Sequence, residues 1–574
     1  MSTRTSIAEQ RAQNIAGHLA GNDNTVPEFE KYRIRRKPGQ APYHTPMTPI
    51  RLLLRSALAY PNKTAVIHGD RSLSYKAVAD RVLRLANLLI HTYNIRPGDR
   101  VAVLCQNIPA FLDAKFGIPS AGAIIVPLNT RLTQPEIEYI ISHSGASVLI
   151  VQQELLPRVS EKVVKTLLKR APIVVANYQN KGDAPCHYEQ KLYATEPQIL
   201  WNDLPLPQED NAIISLNYTS GSTGRPKGVM ISHKGCYMQG LSMCIHGRLT
   251  PESVYLSTLP MFHCNGWNFP WAVVAAGGTQ VMLNKMDYGY IWKAFKELGV
   301  THYCGAPTVQ NEICNHKDAS RLDSTVLTFG GGAALSSTHI RNLNALNIFP
   351  THLYGLTESY GPSMGTYDQV SLSNYPEEDH FKLVARQGYN TITIDEARVL
   401  NKETAEDVKP DGKQIGEICL TGNTIMLGYY NNPEETEKAF KHGVFWTGDL
   451  AVRHPDGAIE IVDRSKDVIV SGGENISSIE VESAILYLDQ VSECAVIGGP
   501  DPKWGERPYA FVIPKQGHTL TPEAVIAHCR KNLAGYKCPA EVLIVQSVPK
   551  TSTGKVQKFV LREELWKSYK NRVN

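Results

Sequence analysis

Residues 217–228 read Asn-Tyr-Thr-Ser-Gly-Ser-Thr-Gly-Arg-Pro-Lys-Gly. The glycines let the backbone approach a ligand and expose its N–H groups, and four serine and threonine hydroxyls and two cations accompany them. A polyphosphate needs this combination, because N–H donors and nearby cations together neutralise its charge. The segment is not a Walker loop, since Lys227 is followed by glycine and by a strand pattern at Val229–Ile231. A flexible linker is the alternative, but a linker does not need Arg-Pro-Lys-Gly at its end.

The composition around this segment is that of an ordinary globular protein. The chain has 574 residues, of which 42% are hydrophobic and 20% are charged, with a net charge of +4. These values exclude a disordered chain or a fibre, and the charge balance argues against nucleic acid as a partner. No apolar run reaches the ~18 residues of a spanning helix, so we expect no integral membrane association. Eleven cysteines without a C-x-x-C pair favour free thiols over disulfides or a zinc site.

Strand and helix patterns alternate on both sides of the segment. Apolar runs typical of buried strands occur at 100–105, 123–127 and 148–151, and an amphipathic helix is expected at 76–91. This alternation predicts parallel sheets with crossover helices, and so an α/β fold. Residues 177–210 are polar, and we expect a surface connection there.

The pattern changes near Asp463. Short strands alternate with helices from there on, which predicts a small α+β domain of ordinary size. We therefore expect a polar N-terminal segment (1–46), a large domain (47–463) and a small C-terminal domain (464–574).

Six further motifs follow along the chain, and four of them have residue types suited to binding a nucleotide. Glycines permit close approach, a carboxylate suits a hard cation or a vicinal diol, and lysine supplies charge. Each motif alone has an ordinary alternative, such as a turn, a capped helix or a solvated lysine. In chain order they are Gly330-Gly331-Gly332-Ala333, Tyr354-Gly355-Leu356-Thr357-Glu358, Thr447-Gly448-Asp449, Asp463-Arg464-Ser465-Lys466-Asp467, Ser471-Gly472-Gly473-Glu474-Asn475 and Pro549-Lys550-Thr551-Ser552-Thr553-Gly554-Lys555.

Together with residues 217–228, these motifs resemble the AMP-forming superfamily of acyl-CoA synthetases, peptide-synthetase adenylation domains and beetle luciferases. The resemblance covers about residues 48 to 565, with Ser222 where threonine is commoner. It implies a large N-terminal domain of parallel-rich sheets with crossover helices and a β-barrel-like subdomain. A small, mobile α+β C-terminal domain would follow.

The resemblance also implies an ATP site and its residue roles. Tyr354 would stack on adenine, Asp449 would bind the ribose and Glu358 would hold Mg2+. The catalytic residues would be Lys555, Glu358, Thr219 and Lys227. The full set implied for ATP and AMP is Thr219, Ser220, Gly221, Ser222, Thr223, Gly224, Lys227, Gly331, Gly332, Ala333, Tyr354, Gly355, Thr357, Glu358, Asp449, Arg464 and Lys555.

An acid pocket and a hinge follow from the same resemblance. The pocket would be lined by His263, Trp267, Tyr303 and Gly330, although an ordinary core tryptophan is an equal interpretation of Trp267. Lys466 falls at the family's hinge, and Gly472, Gly473 and Glu474 resemble the loop that reaches the site during thioester formation.

The implied activity is an ATP-dependent carboxylic acid–CoA ligase that forms an acyl-adenylate and then a thioester. The cofactors and substrates would be ATP, Mg2+ and coenzyme A, with a medium, short or branched acid. Near His263 no aspartate is present to pair an amino group, which disfavours amino acids. A carrier protein as acceptor, a luciferase-like oxidation and a noncatalytic binding protein remain as alternatives.

The N-terminal segment contains Arg11, Ala12, His18 and Leu19 at a spacing that resembles a type-2 peroxisomal targeting signal. Ala12 departs from the larger aliphatic residue usual there. We expect a peroxisomal location with an import receptor as partner of residues 11–19, and otherwise a cytoplasmic one. Across its length the chain most resembles plant and fungal acyl-activating enzymes. Within that group, a peroxisomal N-terminal signal is similar to what is expected of the fungal siderophore-pathway ligase that activates mevalonate, which makes mevalonate a candidate acid.

Overall fold

A computed structural model describes ten ranges of the chain: 29–35, 43–168, 171–175, 186–194, 196–219, 225–331, 337–366, 374–464, 466–550 and 555–573. Several predicted functional residues lie outside these ranges. They are Ser220, Gly221, Ser222, Thr223 and Gly224 of the phosphate loop, Gly332 and Ala333 of the glycine motif, and the targeting-like residues 11–19.

The strands fall into an N-terminal group and a C-terminal group. The first group comprises β1 (Thr64–His68), β2 (Arg71–Ser74), β3 (Arg100–Leu104), β4 (Ile124–Pro127), β5 (Val148–Gln152), β6 (Ile173–Val175), β7 (Ile213–Thr219), β8 (Lys227–Ser232), β9 (Val254–Ser257), β10 (Thr279–Met282), β11 (His302–Cys304), β12 (Val326–Gly330), β13 (Ile348–Leu356), β14 (Gly361–Gly365) and β15 (Tyr389–Asn390). The second comprises β16 (Ile394–Leu400), β17 (Gly416–Gly422), β18 (Gly428–Tyr429), β19 (Phe440–Lys441), β20 (Val444–Arg453), β21 (Ile459–Arg464), β22 (Ile469–Ser471), β23 (Glu474–Ile476), β24 (Val491–Asp501), β25 (Gly505–Pro514) and β26 (Glu541–Ile544).

The α-helices lie between these strands. They are α1 (Ile50–Ala59), α2 (Tyr75–Asn87), α3 (Pro109–Ser120), α4 (Gln134–Ser144), α5 (Glu161–Thr166), α6 (His187–Leu192), α7 (His233–His246), α8 (Phe269–Ala276), α9 (Tyr288–Glu297), α10 (Pro307–Asn315), α11 (Ser337–Ala345), α12 (Glu377–Val384), α13 (Pro433–Ala439), α14 (Ser478–Leu486), α15 (Pro522–Asn532) and α16 (Lys558–Val573).

Two large sheets form the N-terminal part. One has seven strands in the order β18-β8-β7-β4-β3-β5-β6, and the other has nine in the order β15-β14-β13-β12-β11-β9-β10-β1-β2. Their central strands pair in parallel, and antiparallel pairs occur at one edge of the seven-stranded sheet and at both edges of the nine-stranded sheet. Crossover helices bury against them, and α3 is buried along its whole length from Ala110 to Ser120. The expected α/β fold with parallel-rich sheets is confirmed.

Two smaller sheets complete the chain. An antiparallel sheet in the order β16-β17-β20-β19, with β21 beside β20, follows where the barrel-like subdomain is expected. The last sheet has the order β23-β22-β25-β24, with β26 beside β25. Helices α14 and α16 pack on its strand β24, and this assembly is the smaller C-terminal domain.

One prediction about chain organisation is wrong. The polar stretch 177–210 is not only a surface connection, because its described part contains helix α6 and the buried side chains of Tyr188 and Trp201. The Tyr188 hydroxyl donates to Asp113 on α3 over 3.0 Å, and Glu189 forms an ion pair with Arg81 on α2 over 2.7 Å. These buried polar contacts hold the segment to the core, although its composition is that of a loop. No helix in the described part of the chain is both long and apolar enough to cross a membrane.

Candidate active site

A cavity of about 820 Å³ lies where the large domain meets the C-terminal domain. Strands β7 and β13, strand β20 and the residues before α16 all contribute to its walls. Of the residues predicted from the sequence, it is lined by Thr219, Lys227, His263, Trp267, Tyr354, Gly355, Thr357, Glu358, Asp449, Arg464, Lys466 and Lys555. Residues up to 336 positions apart in the chain are therefore brought together, from Thr219 to Lys555.

The phosphate-loop segment connects β7 to β8, two antiparallel strands whose ends line the cavity. Thr219 ends β7 and Lys227 begins β8, and the two are direct antiparallel partners. This register places both at the base of the loop that joins the strands. The Lys227 ammonium forms an ion pair with Glu435 on α13 and lies 5.1 Å from the centre of the Tyr429 ring.

Glu358 lies just beyond β13 and faces the same region. Its Oε1 accepts a hydrogen bond from the Tyr429 hydroxyl over 2.9 Å. Burial raises the pKa of Glu358, whereas Lys227 and Arg464 act in the opposite direction. A buried carboxylate of this kind is stabilised in its ionised form by a bound cation.

The donor set around Glu358 fits Mg2+ that arrives with a nucleotide. Within the described ranges, no group of three or more His, Cys, Asp or Glu side chains could hold a metal ion by itself. Mg2+ is commonly held by one or two carboxylates together with substrate phosphates and waters. The Glu358 carboxylate, which lines the same cavity as Thr219 and Lys227, meets that requirement.

Asp449 lies on β20 and lines the same cavity. It is the direct strand partner of Arg464 on β21, and Arg464 Nε lies 3.2 Å from Asp449 Oδ1. The Tyr354 hydroxyl donates to Asp449 Oδ2 over 2.7 Å. Burial and the neighbouring Asp449 carboxylate raise the pKa of Tyr354, so its hydroxyl remains a donor. The carboxylate is thus oriented from two sides.

Lys555 comes from the C-terminal domain and lines the cavity as a half-buried side chain. Burial, with the nearby Arg464 and Lys466 cations, lowers the pKa of Lys555 to about 7, although Asp449 acts in the opposite direction. Burial and the Lys555 charge lower the pKa of His263 to about 4, so His263 is neutral near pH 7. The Lys555 charge therefore acts electrostatically on His263 across the cavity.

His263 precedes a turn with an uncommon backbone. The five consecutive residues from Cys264 to Asn268 have φ values of 39°, 48°, 72°, 46° and 69°. Only Gly266 among them lacks a side chain, and each of the others costs about 1–3 kcal/mol in this region. Such strain persists only where surrounding contacts hold it, and it concentrates at functional sites.

The turn places Trp267 across one end of the cavity. A Cβ atom built on Gly331 would lie 2.7 Å from Trp267 Cη2, so the indole packs directly against the Gly331 backbone. Trp267 is nearly buried and belongs to a cluster with Phe269 and Phe329. It is therefore both a core residue and a wall of the cavity, and the two interpretations of its role are compatible.

Six other predicted positions within the described ranges do not line the cavity: Tyr303, Gly330, Gly331, Gly472, Gly473 and Glu474. Tyr303 is fully buried and donates its hydroxyl to Gln310. Gly330 ends β12 without reaching the wall, and the Gly472–Gly473–Glu474 segment lies at the β22–β23 hairpin, where Gly472 N–H donates to the Trp504 carbonyl over 2.8 Å.

Sequence reasoning missed several residues of the site. Tyr429 and Glu435 contact Glu358 and Lys227, and Lys115 and Asn268 hold the strained turn. One signal for Lys115 is present in the sequence, since it is the one cation of the mainly apolar helix α3. The others have ordinary sequence surroundings.

Comparisons with known proteins agree with this geometry. Residues 53–430 match the family model described as AMP-binding enzyme, and residues 480–555 match the AMP-binding enzyme C-terminal domain. A peroxisomal butyrate–CoA ligase of Arabidopsis thaliana is 39% identical, over 91% of this chain and 93% of its own length. A peroxisomal acetate/butyrate–CoA ligase of the same plant is 38% identical, over 90% of this chain and 94% of its own length.

A solved structure shares the architecture as well. It is ATP-bound MatB from Rhodopseudomonas palustris, which is 26% identical and superposes with a TM-score of 0.78 over 90% of this chain and 99% of MatB. The chain therefore belongs to the AMP-binding enzyme family, as an AMP-forming acid–CoA ligase that uses ATP, Mg2+ and coenzyme A.

Proposed function

We propose that this ligase activates short-chain carboxylic acids of about the length of butyrate. The supporting observation is the Trp267 indole, which packs against Gly331 and lines the same cavity as Lys555. A bulky ring at that position shortens the space left for an acyl chain. Both plant relatives named above act, by their names, on butyrate or acetate.

In the first step, the substrate carboxylate attacks the α-phosphorus of ATP, pyrophosphate leaves and an acyl-adenylate remains. Two anions must meet, and two unit charges 4 Å apart repel by about 4 kcal/mol at an effective dielectric of 20. The Lys555 ammonium offsets this repulsion at the reacting centre, and Lys227 does so at the β- and γ-phosphates. No general base is required, because the carboxylate is already ionised. Catalysis is then positioning and electrostatic stabilisation.

The remaining residues orient the nucleotide. Glu358 would hold Mg2+, which supplies positive charge to the phosphates. Asp449, oriented by Tyr354 and Arg464, would accept hydrogen bonds from the ribose hydroxyls. Thr219 and the residues that follow it would donate to phosphate oxygens.

In the second step, the thiol of coenzyme A attacks the mixed anhydride. Lys555 occupies the cavity and would obstruct that thiol, so we infer that the domain 464–574 rotates against 47–463 about Lys466. This hinge position is supported by its place between β21 and β22, where the Lys466 carbonyl accepts from Arg562 over 2.8 Å. The Gly472–Glu474 segment would then enter the cavity. If the domains rotate about this position, limited proteolysis should cleave the chain near residues 463–468. The rate of that cleavage should change when coenzyme A is added.

The substrate proposal is tested with the purified full chain, ATP, Mg2+, coenzyme A and a panel of acids. The panel runs from acetate to palmitate and includes branched acids, benzoate and mevalonate, with thioesters identified by mass. We expect kcat/KM to peak near four carbons. A peak at eight carbons or beyond would overturn the short-chain assignment.

The same assay separates the alternatives. Mevalonate, a branched hydroxy acid suggested by the N-terminal segment, would be supported by a kcat/KM above that for butyrate. Pyrophosphate release without a coenzyme A thioester would point to a carrier protein or to an oxidative fate of the adenylate. Oxygen uptake would distinguish these two.

We also propose a peroxisomal location, with import through residues 11–19. The plant relatives are named as peroxisomal, and Arg11, His18 and Leu19 have the spacing of the targeting signal. Residues 1–28 fused to a fluorescent protein should colocalise with a peroxisomal marker. An Arg11→Ala/His18→Ala fusion should be diffuse. A wild-type fusion that is itself diffuse would contradict the proposal and favour the cytoplasm.

A further inference from the structure

Lys115 lies on helix α3 and is completely buried, with 0% of its surface exposed. Its Nζ donates to the Asn265 carbonyl over 2.6 Å and lies 4.3 Å from the centre of the Trp271 ring. Within the described ranges, no carboxylate forms an ion pair with it, and burial lowers the pKa of Lys115 to about 7. A cation in such surroundings is costly, so its position calls for a role.

Asn265 is the second residue of the left-handed turn from Cys264 to Asn268. The last residue of the turn is held as well, since Asn268 Nδ2 donates to the Tyr360 carbonyl over 2.5 Å. The Tyr360 hydroxyl in turn accepts from Trp271 Nε1 over 3.2 Å. Lys115, Trp271 and Tyr360 thus form one buried assembly behind the turn.

Between these two anchors lies Trp267, the residue that closes the acid pocket. Its own φ is +46°, a conformation that a tryptophan rarely adopts without external support. If the Asn265 carbonyl lost its donor, the turn could relax toward ordinary φ values. The indole would then move away from Gly331.

We infer that Lys115 is a positioning residue for acid selectivity: through Asn265 it holds the turn that keeps Trp267 across the pocket. Lys115 does not contact the acid itself. The inference rests on the proposed function, because it names what fixes the length limit of the same pocket.

The chain offers a matched control in Lys63. This lysine is also buried, and burial lowers its pKa to about 8. Its Nζ donates to Thr279 over 3.2 Å, on the β1–β2 side of the nine-stranded sheet, and it does not line the cavity. Lys63→Met removes a buried ammonium without touching the turn.

The experiment compares Lys115→Met with Lys63→Met in the full-length protein. We expect Lys115→Met to raise the ratio of kcat/KM for hexanoate to that for butyrate about tenfold, the discrimination that one or two methylenes in a pocket provide. The KM for ATP should change less than about twofold. Lys63→Met should leave this kcat/KM ratio unchanged, even if it lowers the melting temperature by as much as Lys115→Met does.

A double-mutant cycle shows whether Lys115 acts through Trp267. Trp267→Ala alone should raise the same ratio, and adding Lys115→Met to it should have no further effect. Additive effects would overturn the inference, as would an unchanged ratio in Lys115→Met. If Lys115→Met does not fold, Lys115→Gln keeps an uncharged donor and should give an intermediate ratio. A parent protein that forms no thioester with any acid would instead refute the proposed function.

Discussion

The ammonium of Lys227 forms an ion pair with the carboxylate of Glu435, 208 residues further along the chain. Lys227 is the cation that we assign to the phosphates of ATP, and its positive charge is paired with a carboxylate in the structure. Lys227 and Lys438 lower the pKa of Glu435 to about 2, so Glu435 is ionised at any pH at which the enzyme would work. ATP must therefore compete with Glu435 for Lys227.

Neutralising Glu435 should strengthen ATP binding. Glu435→Gln removes the competing charge, and a partly exposed ion pair of this kind contributes about 0.2–1 kcal/mol. We expect KM for ATP to fall about threefold in a pyrophosphate-release assay, because RT ln 3 lies within that range. The control is Glu434→Gln on the same turn of α13, whose exposed side chain forms no ion pair with Lys227. A higher KM in Glu435→Gln would show that Glu435 orients Lys227 instead.

Lys555 should make adenylation dependent on pH. Its pKa is lowered to about 7, so the ammonium is present below that pH and is lost above it. We expect kcat/KM for pyrophosphate release to fall as pH rises through about 7. The negative charges of bound ATP should raise the pKa of Lys555. The fall in kcat should therefore occur at a higher pH than the fall in kcat/KM. Lys555→Ala should lose at least about 100-fold in adenylation, as when an electrostatic contact to the transition state is removed, and still bind ATP.

Lys537→Ala serves as its control, because Lys537 lies on the same domain but pairs with Glu480 outside the cavity. Its adenylation rate should match that of the wild type. A wild-type profile without a fall between pH 6 and 9 would contradict the assignment of Lys555.

Substitutions of Asp449 and Tyr354 should raise the KM for ATP by different amounts. Asp449→Asn weakens the acceptor that we propose for the ribose, and hydrogen bonds to charged groups contribute about 1.5–3 kcal/mol. KM for ATP should therefore rise about 10- to 100-fold. Tyr354→Phe removes only the hydroxyl that orients the carboxylate and keeps the ring, so KM should rise less than about fivefold, as for one ordinary hydrogen bond. Equal effects, measured by titration calorimetry with ATP, would mean that Asp449 acts mainly by holding Tyr354.

The sequence was sufficient for the parts of the site that depend on local backbone. The hairpin that brings Thr219 opposite Lys227 and the strand pair of Asp449 and Arg464 both lie within or beside quoted motifs. Their residue types follow from the ligand chemistry, so a pattern read along the chain is enough to find them. The α/β class follows similarly from alternating periodicities.

The remaining features depend on contacts that no local pattern encodes. Lys115 meets Asn265 across 150 residues, and the left-handed turn has only Gly266 and two asparagines as a sign of its φ values. Tyr303 was expected at the pocket because of its family position, but its hydroxyl is directed to Gln310. Helix α6 was missed because its polar residues face buried partners rather than water.

Replacing Gly331 with alanine should change the shape of the proposed acid pocket, because it adds one methyl group beside Trp267. In Gly331→Ala, the new Cβ would lie 2.6 Å from the Leu353 carbonyl oxygen and 2.7 Å from Trp267 Cη2. Overpacking of this kind costs about 1–3 kcal/mol, and the indole is the more movable neighbour. Displaced into the pocket, it should raise the ratio of kcat/KM for acetate to that for butyrate about tenfold, the opposite direction from Trp267→Ala. Gly535→Ala, whose Cβ meets nothing within 4 Å, should change neither this ratio nor the melting temperature. If Gly331→Ala instead favoured longer acids, Trp267 would not be the wall that limits them.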